Sequence, residues 1–407
     1  MSGIKAYTRT ALFLAIKDLS KDKAITFLVV FVVAFGFLFF GISTGLSDGF
    51  YYAFQDQVIT TLSSHITIEP LNKDEAFDHS STSNIEKKVE FIPGIVGISP
   101  ILKTNAYIFT EEKGLNADIV GLTPSIDSKV TDLHEKVTHG EYLDDDDTDQ
   151  IVLGIQLTNV ETEGGFSMTT IKTNIDIYVG EKISITYDNG VTREYTVKGI
   201  LEGGVLGSDW TAYVTNKEMK AVYGEEMASK ILIKVDDHPE AVDKYKATIL
   251  QQGIHGEVKT WKDEMGFIET VSQSLEMFTQ VITAIGLMTT IITVAIVIFI
   301  NSTRKKRLFG VIKAVGARNN VILTIFIIES LFFAAFGIVI GIGLSYAAQA
   351  FVTAFPITIP LGNVYLYVDL DLFVNAAIYI SLASVLAGFY PAFRAARGDI
   401  IESIWKK

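Results

Sequence analysis

Four long apolar blocks constrain the fold of this chain more than any other feature of its sequence. They cover residues 24–46, 277–300, 321–346 and 372–390. A helix rises ~1.5 Å per residue and the hydrocarbon core of a bilayer is ~30 Å thick, so about 20 apolar residues are enough to cross it. Because the backbone must satisfy its own hydrogen bonds in lipid, we predict four transmembrane α-helices, one near the start and three near the end.

The first block also raises the possibility of a cleaved signal peptide. Its apolar run is longer than the core of a usual signal peptide, and no small-residue cleavage site follows it. These features favour a retained membrane anchor.

The basic residues predict the orientation of the helices. Residues 1–23, 301–320 and 391–407 together hold 15 basic residues against 4 acidic ones, whereas residues 45–276 hold 40 acidic residues against 19 basic ones. By the positive-inside rule, both termini and the 301–320 loop face the cytoplasm of a multi-pass protein in the cell membrane. The net charge of −13 therefore reflects this topology rather than an acidic or basic partner, and no nucleic acid partner is expected.

The prediction divides the chain into nine consecutive segments. They are a cytoplasmic N-terminus (1–23), a first span (24–46), stalks and an extracytoplasmic α/β domain (47–276), a second span (277–300), a cytoplasmic coupling loop (301–320), a third span (321–346), an outer loop (347–371), a fourth span (372–390) and a cytoplasmic tail (391–407). The outer loop contains prolines and is expected to include extended structure.

The large outer segment shows both helical and strand periodicity. Apolar residues at helical spacing over 46–62 and 263–276 predict stalks that continue the first span and lead into the second, or ordinary helices at a domain edge. Alternation predicts strands, and shorter patterns predict helices. The strands are expected at 65–69, 106–110, 183–187, 193–201 and 231–235, with a hairpin turn at 188–190, and the helices near 85–89, 151–158 and 217–222.

Several kinds of chemistry are excluded by the residues themselves. The chain has no cysteine, its six histidines fall into no metal-ligand spacing, and it holds no Gly-Lys dipeptide and therefore no nucleotide-binding P-loop. We therefore expect a non-catalytic chain without metal or cofactor, which depends on another protein for ATP hydrolysis.

Two acidic features are candidate sites. The run at 144–147, followed by Asp149, lacks the glycine and closing glutamate of an EF-hand loop, which favours a solvated turn. Glu329 lies within the third span, where a carboxylate is costly and is a functional candidate. A proton relay would need a second ionisable group there, so an anchoring hydrogen bond to a loop or a second subunit is favoured.

The residue pattern of the basic 301–320 loop predicts a short amphipathic helix. Leu308, Val311, Ile312 and Val315 form an apolar face, and Gly316 can end the helix. Such a helix either lies on anionic lipid or docks into a cytoplasmic partner, and its residues alone leave both open.

Motifs in both halves of the chain carry a family resemblance. They are F-G-V-I-K-A-V-G-A at 309–317, I-I-E-S-L at 327–331, Y-P-A-F-R-A-A-R-G-D-I-I-E-S-I at 390–404, and, in the N-terminal half, A-I-K-D-L at 15–19, G-L-S-D-G-F at 45–50, S-H-I-T-I at 64–68, V-G-L-T-P at 120–124 and I-V-L-G at 151–154. The sequence resembles ABC transporter permeases of the MacB/FtsX-like superfamily, and within it the lipoprotein-releasing LolC/LolE type.

This resemblance implies a partner, a site and a mechanism. A dimer of such permeases, made of identical or paralogous copies, would assemble with cytoplasmic ATPase subunits. ATP-driven motion would then pass through the stalks to a porter-like outer domain that acts on a lipoprotein or another amphiphilic substrate, which is mechanotransmission. The implied ATPase-coupling residues are Phe309, Gly310, Val311, Lys313, Ala314, Gly316, Ala317 and Arg318.

A second hypothesis belongs to a different class. The chain would be a transmembrane scaffold or sensor that regulates an extracytoplasmic enzyme such as a cell-wall hydrolase. The cytoplasmic segments are too short to hold a kinase or cyclase, so a sensor would also need a recruited partner. Association with an ATPase would favour the transporter hypothesis over the scaffold or sensor hypothesis.

Overall fold

The structure is a computed structural model, and it divides into two compact units. It describes residues 17, 23–72, 75–110, 113–160, 176–203, 207–304, 319–359, 362–368 and 370–397. The helical unit comprises Met1–Phe50, Ser272–Pro356 and Tyr365–Lys407, and the sheet unit comprises Tyr51–Val271 and Ile357–Val364. We describe each unit by itself.

The helices vary widely in length. In the described residues they are α1 (Lys23–Gln57), α2 (His79–Glu90), α3 (Pro124–Asp127), α4 (Asn216–Tyr223), α5 (Val242–Gln251), α6 (Trp261–Glu264), α7 (Gly266–Arg304), α8 (Asn319–Ala354) and α9 (Leu370–Arg397). A π-helical turn, Val58–Leu62, follows α1, and short 3-10 turns cover Leu133–Lys136, Ile155–Leu157, Ser208–Trp210 and Pro239–Ala241.

The long helices carry the apolar blocks. Among the described residues, three stretches are long and apolar enough to cross a membrane, namely Thr26–Leu62, Met277–Val297 and Val321–Ala354. The block expected as the fourth span lies in α9, whose apolar stretch Phe373–Leu386 is shorter. The arrangement of one long helix before the outer segment and three after it agrees with the predicted fold class, whereas the boundaries of the nine segments stay predictions.

Aromatic side chains form the core of the helical unit. Phe37 of α1 and Phe373 of α9 stack with ring centroids 5.6 Å apart, and Tyr346 of α8 meets Phe373 edge-on at 5.3 Å. Phe326 and Phe333 of α8 are buried in the same cluster. The first helix therefore packs with helices that begin more than 260 residues after it ends.

One large sheet organises the sheet unit. The strands are β1 (Ile66–Glu69), β2 (Phe77–Asp78), β3 (Ile95–Phe109), β4 (Gly114–Leu122), β5 (Val137–Gly140), β6 (Gln150–Gly154), β7 (Lys182–Tyr187), β8 (Thr192–Leu201), β9 (Thr211–Thr215), β10 (Met227–Ala228), β11 (Lys230–Val235), β12 (Glu257–Thr260), β13 (Ile357–Ile359) and β14 (Gly362–Val364). The large sheet has the order β12-β1-β11-β3-β4-β9-β6-β8-β5, with β7 pairing β3 and β8. The pairs β10-β2 and β13-β14 stand apart from it.

Strand β3 connects two halves of the sheet unit, which we call the proximal half, with β1, β11 and β12, and the distal half, with β4 and β6 to β9. Its first part pairs with β11, where Ile101 lies opposite Lys230, and its second part pairs with β4 and β7. The proximal core contains Ile66 and Trp261, and the distal core contains strands β6 to β9. The chain therefore enters the distal half after Ile101 and leaves it at Lys230, which is paired with Ile101.

Most of the predicted elements are confirmed. The five predicted strands coincide with β1, β3, β7, β8 and β11, and the predicted hairpin turn joins β7 to β8 with Gly190 at φ +81°. The helical patterns near 85–89 and 217–222 lie in α2 and α4, and the pattern over 46–62 continues α1 through the π-helical turn. The segment predicted as the outer loop contains the antiparallel pair β13–β14, in agreement with the extended structure expected there.

The helix predicted over 151–158 is wrong. Residues Gln150–Gly154 form β6, which lies between β8 and β9, and only the 3-10 turn Ile155–Leu157 follows it. Ile151, Val152 and Leu153 are all fully buried, because a central strand is covered on both faces. Such a strand is a continuous apolar run, which periodicity alone cannot distinguish from a buried helix.

Candidate functional site

The predicted ATPase-coupling residues lie outside the described part of the chain. Phe309 to Arg318 fall within residues 305–318, and the structure describes α7 as far as Arg304 and α8 from Asn319. The coupling assignment therefore stays a prediction.

Glu329 is the predicted polar residue inside a span, and it lies in the core of the helical unit. It is 1% exposed, and its neighbour Ser330 is also buried. The Ser330 hydroxyl donates a hydrogen bond of 2.8 Å to the carbonyl oxygen of Phe326 in the same helix. A carboxylate at such a position faces protein rather than lipid, as ionisable residues in membrane helices usually do.

Small residues bring α1 and α8 into close contact. A Cβ atom placed on Gly337 would lie 2.4 Å from a methyl group of Val33, and one placed on Gly341 would lie 2.7 Å from the Cβ of Phe37. Gly337 and Gly341 are one helical turn apart, as are Val33 and Phe37, so the two helices meet along matching faces. Small residues at this spacing let the backbones of membrane helices approach closely.

The end of α1 is fixed into the sheet unit by hydrogen bonds. The Gln57 side-chain amide donates a bond of 2.7 Å to the carbonyl oxygen of Gly203, and the N–H of Asp132 donates one of 2.8 Å to the carbonyl oxygen of Thr60. Ser64, with φ +56°, then turns the chain into β1, and its hydroxyl donates to the carbonyl oxygen of Val130 at 3.3 Å. We call residues 57–65 the first root.

The start of the second long helix is fixed in the same way. Thr260 and Asp263 form a capping box around α6, in which the Thr260 N–H donates to the Asp263 carboxylate at 2.8 Å. Trp261 is buried, its indole N–H donates 2.8 Å to the carbonyl oxygen of Pro239, and its ring meets Tyr51 edge-on at 6.3 Å. We call residues 260–266 the second root.

The two roots are continuous with neighbouring strands. The first root leads into β1 and the second root follows β12, and these strands pair antiparallel with Ile66 opposite Thr260. The backbone N–H of Trp261 extends this pairing by donating a hydrogen bond of 3.0 Å to the carbonyl oxygen of His65. The two roots therefore join the same pair of strands.

Buried ion pairs reinforce this pair of strands. The Glu69 carboxylate lies 2.5 Å from the Nζ atoms of both Lys230 and Lys259, and Lys230 is also 3.4 Å from Glu264 of the second root. Burial alone would raise the pKa of Glu69, but the hydrogen bonds and charges of the two lysines outweigh it and hold that pKa below its usual value.

His65 is a titratable group within the first root. The side chain is buried, and its Nδ1 atom has no hydrogen-bond partner among the described residues. Burial, together with the positive charge of Lys234, lowers the pKa of His65 to about 4. The imidazole is therefore neutral at neutral pH, and protonating it would disturb the junction between the helix and β1.

The acidic run of residues 144–147 is partnered by basic and backbone groups. Lys198 lies 2.8 Å from the Asp144 carboxylate and 2.7 Å from that of Asp147, and the Asp145 carboxylate accepts a bond of 2.8 Å from the Ser125 N–H. In the described part of the chain, no group of three or more histidine, cysteine, aspartate or glutamate side chains is placed to hold a metal ion. These contacts favour the interpretation of the run as a turn over that of a calcium loop.

Two family models match the chain. The model described as "MacB-like periplasmic core domain" matches residues 26–251, which is more than half of the sequence. The model described as "FtsX-like permease C-terminal" matches residues 281–400. The chain belongs to the MacB/FtsX-like permease family. With its apolar helices, this MacB/FtsX-like permease is a membrane protein.

Curated relatives agree with this family. The chain is 31% identical over 222 residues to the probable syringafactin export ATP-binding/permease protein SyfD of Pseudomonas syringae pv. tomato, covering 53% of this chain and 32% of the relative. It is 28% identical over 204 residues to the macrolide export ATP-binding/permease protein MacB of Burkholderia thailandensis, covering 48% of this chain and 30% of the relative. This permease thus matches about a third of the length of each relative.

Two solved structures resemble about half of the permease. The periplasmic region of MacB from Actinobacillus actinomycetemcomitans has a TM-score of 0.34 and 15% identity, covering 50% of this chain and 92% of that one. The extracellular domain of the transporter YknZ from Gram-positive bacteria has a TM-score of 0.32 and 12% identity, covering 48% of this chain and 97% of that one.

Proposed function

We propose that this chain is the permease subunit of an ABC transporter and that it transmits ATPase-driven motion from the cytoplasm to its sheet unit. ATP would be hydrolysed by a separate cytoplasmic subunit, and a second permease copy or paralogue would complete the assembly. Both termini would be cytoplasmic, and the substrate would be a lipoprotein or another amphiphile outside the cell membrane. The lipoprotein-releasing subtype is part of the proposal.

One observation carries this proposal, namely the pairing of the strands that continue the two roots. Ile66 of β1 lies opposite Thr260 of β12, and the backbone N–H of Trp261 donates a hydrogen bond of 3.0 Å to the carbonyl oxygen of His65. Strands joined by a ladder of backbone hydrogen bonds move together, because separating them leaves buried donors and acceptors unpaired. Relative motion of α1 and α7 would then be delivered to the sheet as a shear or rotation of β1 and β12.

A pull-down from native membranes tests the class of protein. The tagged chain would be purified in mild detergent and its partners identified by mass spectrometry. Recovery of a P-loop ATPase is the expected result, and a co-purified lipoprotein would identify the substrate class. Recovery of a cell-wall hydrolase or a signalling protein without an ATPase would overturn the proposal in favour of the scaffold or sensor hypothesis.

A double substitution in the coupling loop tests the ATPase contact. Gly310→Glu together with Lys313→Glu places two new carboxylates in the segment proposed to dock into the ATPase. Membrane insertion should be unchanged, while stimulation of the partner ATPase should be lost. If transport survives the double substitution, the assignment of this segment to coupling is wrong.

An insertion at the second root tests transmission separately from ATPase binding. A Gly-Gly-Ser insertion after Glu264 separates the capped helix α6 from α7. The ATPase should still bind and hydrolyse ATP, but its hydrolysis should no longer drive transport. The matched control places the same insertion after Asn189, in the exposed β7–β8 turn. Equal transport by both insertions would contradict mechanotransmission through the roots.

A further inference from the structure

A cavity of 420 Å³ opens in the sheet unit between α2 and α4. His79, Thr82 and Glu86 line it from α2, and Asn216 and Met219 line it from α4. The cavity lies away from the two roots and has no part in the transmission proposed above. Its volume is within the range of small-molecule sites, which is roughly 300–1,000 Å³.

The lining of this cavity is amphiphilic. Leu122, Met219 and Ala228 are almost fully buried and form an apolar floor together with Pro124, which is also buried. The first turns of α2 and the loop before β10 contribute the polar side chains. A ligand that fills the cavity therefore needs an apolar body and a polar group at one end, because burying a polar group on the floor without a hydrogen bond is costly.

The polar side of the cavity has an excess of negative charge. Glu226 is already paired, since His79 and Lys220 each lie 2.7 Å from its carboxylate. Glu86 and Glu225 also line the cavity, and neither side-chain carboxylate makes an ion pair or a hydrogen bond with a described residue, although the charge of His79 acts on Glu86. The remaining lysine in the lining, Lys217, is 3.4 Å from Asp146. Charge complementarity therefore favours a cationic ligand.

Two buried polar atoms in the lining also lack partners. The Thr82 hydroxyl belongs to a side chain that is 9% exposed, and it makes no hydrogen bond among the described residues. The Asn216 amide nitrogen donates to the carbonyl oxygen of Pro100 at 3.1 Å and to the hydroxyl of Thr123 at 3.2 Å, which leaves its Oδ1 atom as an unpartnered acceptor. Both atoms are closed to water, so a ligand reaches them by displacing the side chains that cover them. Leaving such a group unpaired costs about 1–3 kcal/mol, which a donor from a ligand would recover.

We propose that this cavity binds a small amphiphile that carries an ammonium group. The apolar body contacts Leu122 and Met219, and the ammonium group lies between Glu86 and Glu225 and donates hydrogen bonds. This inference goes beyond the proposed function, because binding here requires neither ATP hydrolysis nor transport.

A peptide partner fits the same region less well. Peptides that dock on sheets usually add a strand to a long unpaired edge. Of the strands that line this cavity, β3, β4 and β9 belong to the large sheet, whereas β10 has only two residues, both of which are paired with β2. A strand as short as β10 offers little of the backbone ladder that an extended chain would need.

Cysteine protection in the full-length protein tests the proposal. The chain has no cysteine, so Ser83→Cys introduces a single thiol into the lining. Dansylcadaverine, which has an apolar ring system and a primary ammonium group, serves as the probe, and its N-acetylated form serves as the neutral control. The probe should slow alkylation of Ser83→Cys by N-ethylmaleimide in nanodiscs, and the acetylated form should not. Ala247→Cys, exposed on α5, corrects for partitioning of either compound into lipid.

Substitutions in the Ser83→Cys background identify the binding groups. Glu86→Gln with Glu225→Gln should raise the probe concentration that gives half-protection about tenfold, because each glutamate loses its charge. Glu90→Gln, exposed one turn further along α2, is the matched control and should change nothing. Thr82→Val removes the unpartnered hydroxyl without harming the fold, and it should also weaken protection.

Three outcomes would overturn the proposal. The first is equal protection by the acetylated compound, and the second is unchanged protection after both glutamates are replaced. The third is protection by an amphipathic lysine-leucine peptide but not by dansylcadaverine, which would assign the cavity to a peptide partner.

Discussion

The backbone N–H of Trp261 lies 3.0 Å from the carbonyl oxygen of His65, and this hydrogen bond joins the second root to the first. Trp261 is also the largest fully buried side chain in the described part of the protein. The junction between the roots is therefore both hydrogen-bonded and tightly packed.

Trp261→Phe should loosen both roots. The substitution removes the indole donor to Pro239 and leaves a gap beside Tyr51, at a combined cost of about 2–3 kcal/mol. Hydrogen–deuterium exchange should increase in peptides that cover residues 58–69 and 257–265. Trp210→Phe is the control, since Trp210 lies in the distal half and should leave these peptides protected. Unchanged exchange in Trp261→Phe would show that the roots do not depend on this side chain.

Mild acid should destabilise the sheet unit through His65. The folded protein keeps this imidazole neutral down to about pH 4, whereas the unfolded chain binds a proton near pH 6.5. The unfolded state thus holds more protons between these values, so the free energy of unfolding falls as the pH is lowered through this window, by up to about 3 kcal/mol.

Urea unfolding followed by tryptophan fluorescence in detergent measures this effect. His65→Gln cannot gain the proton, so the difference in stability between pH 7 and pH 5 should shrink in this variant. His255→Gln is a suitable control, because His255 is exposed. An identical pH dependence in the wild type and His65→Gln would contradict the assignment.

Gly341→Ala should weaken the packing of α1 on α8. The new methyl group would lie 2.7 Å from the Cβ of Phe37, and such overpacking costs about 1–3 kcal/mol, partly offset by the helix propensity of alanine. Gly343→Ala is the matched control in the same helix, because a Cβ there meets nothing within 4 Å. Unfolding by SDS, followed by circular dichroism, should begin at a lower SDS fraction in Gly341→Ala only. If Gly343→Ala unfolded at a lower SDS fraction than Gly341→Ala, the close approach of α1 and α8 would not be needed for stability.

Glu69→Gln should cost far more stability than removal of an exposed ion pair. Two lysines would lose their shared carboxylate in a partly buried setting, at about 2–4 kcal/mol. Glu194→Gln removes the exposed partner of Lys182 and should lower the free energy of unfolding much less, because solvent-exposed ion pairs contribute little. Urea unfolding at neutral pH compares the two variants. Similar losses in the free energy of unfolding would show that Glu69 has no special role at the roots.

The sequence predicts those parts of this protein whose periodicity is local. The apolar blocks can be recognised as membrane helices from their length and composition alone. The alternation over 183–187 and 193–201, with Asp188-Asn189-Gly190 between the two stretches, predicts both strands and the turn of a hairpin. The membrane helices and several strands could therefore be placed without a structure. The central strand β6 could not, because a strand buried on both faces has lost its alternation.

The roots and the cavity depend on contacts between residues far apart in the chain. Gln57 meets Gly203, and Glu69 meets Lys230 and Lys259, over separations that no local pattern encodes. The spacing of Thr260 and Asp263 is an exception, because it is typical of a capping box and indicates the start of the second root from the sequence alone. Trp261 lies between these two residues, and a tryptophan in the first turn of a helix indicates that this end of the helix is buried.

The pairing of Ile101 with Lys230 has a consequence for how this protein can diverge. Everything between these two residues is one excursion of the chain, and its two ends lie side by side on neighbouring strands. A different module could be exchanged at this position during evolution, because the distance that its ends must span is a single inter-strand spacing, about 4.8 Å. Such a module would also have to hold the first root, because Asp132, Val130 and Gly203, which bond to Thr60, Ser64 and Gln57, all lie within the excursion.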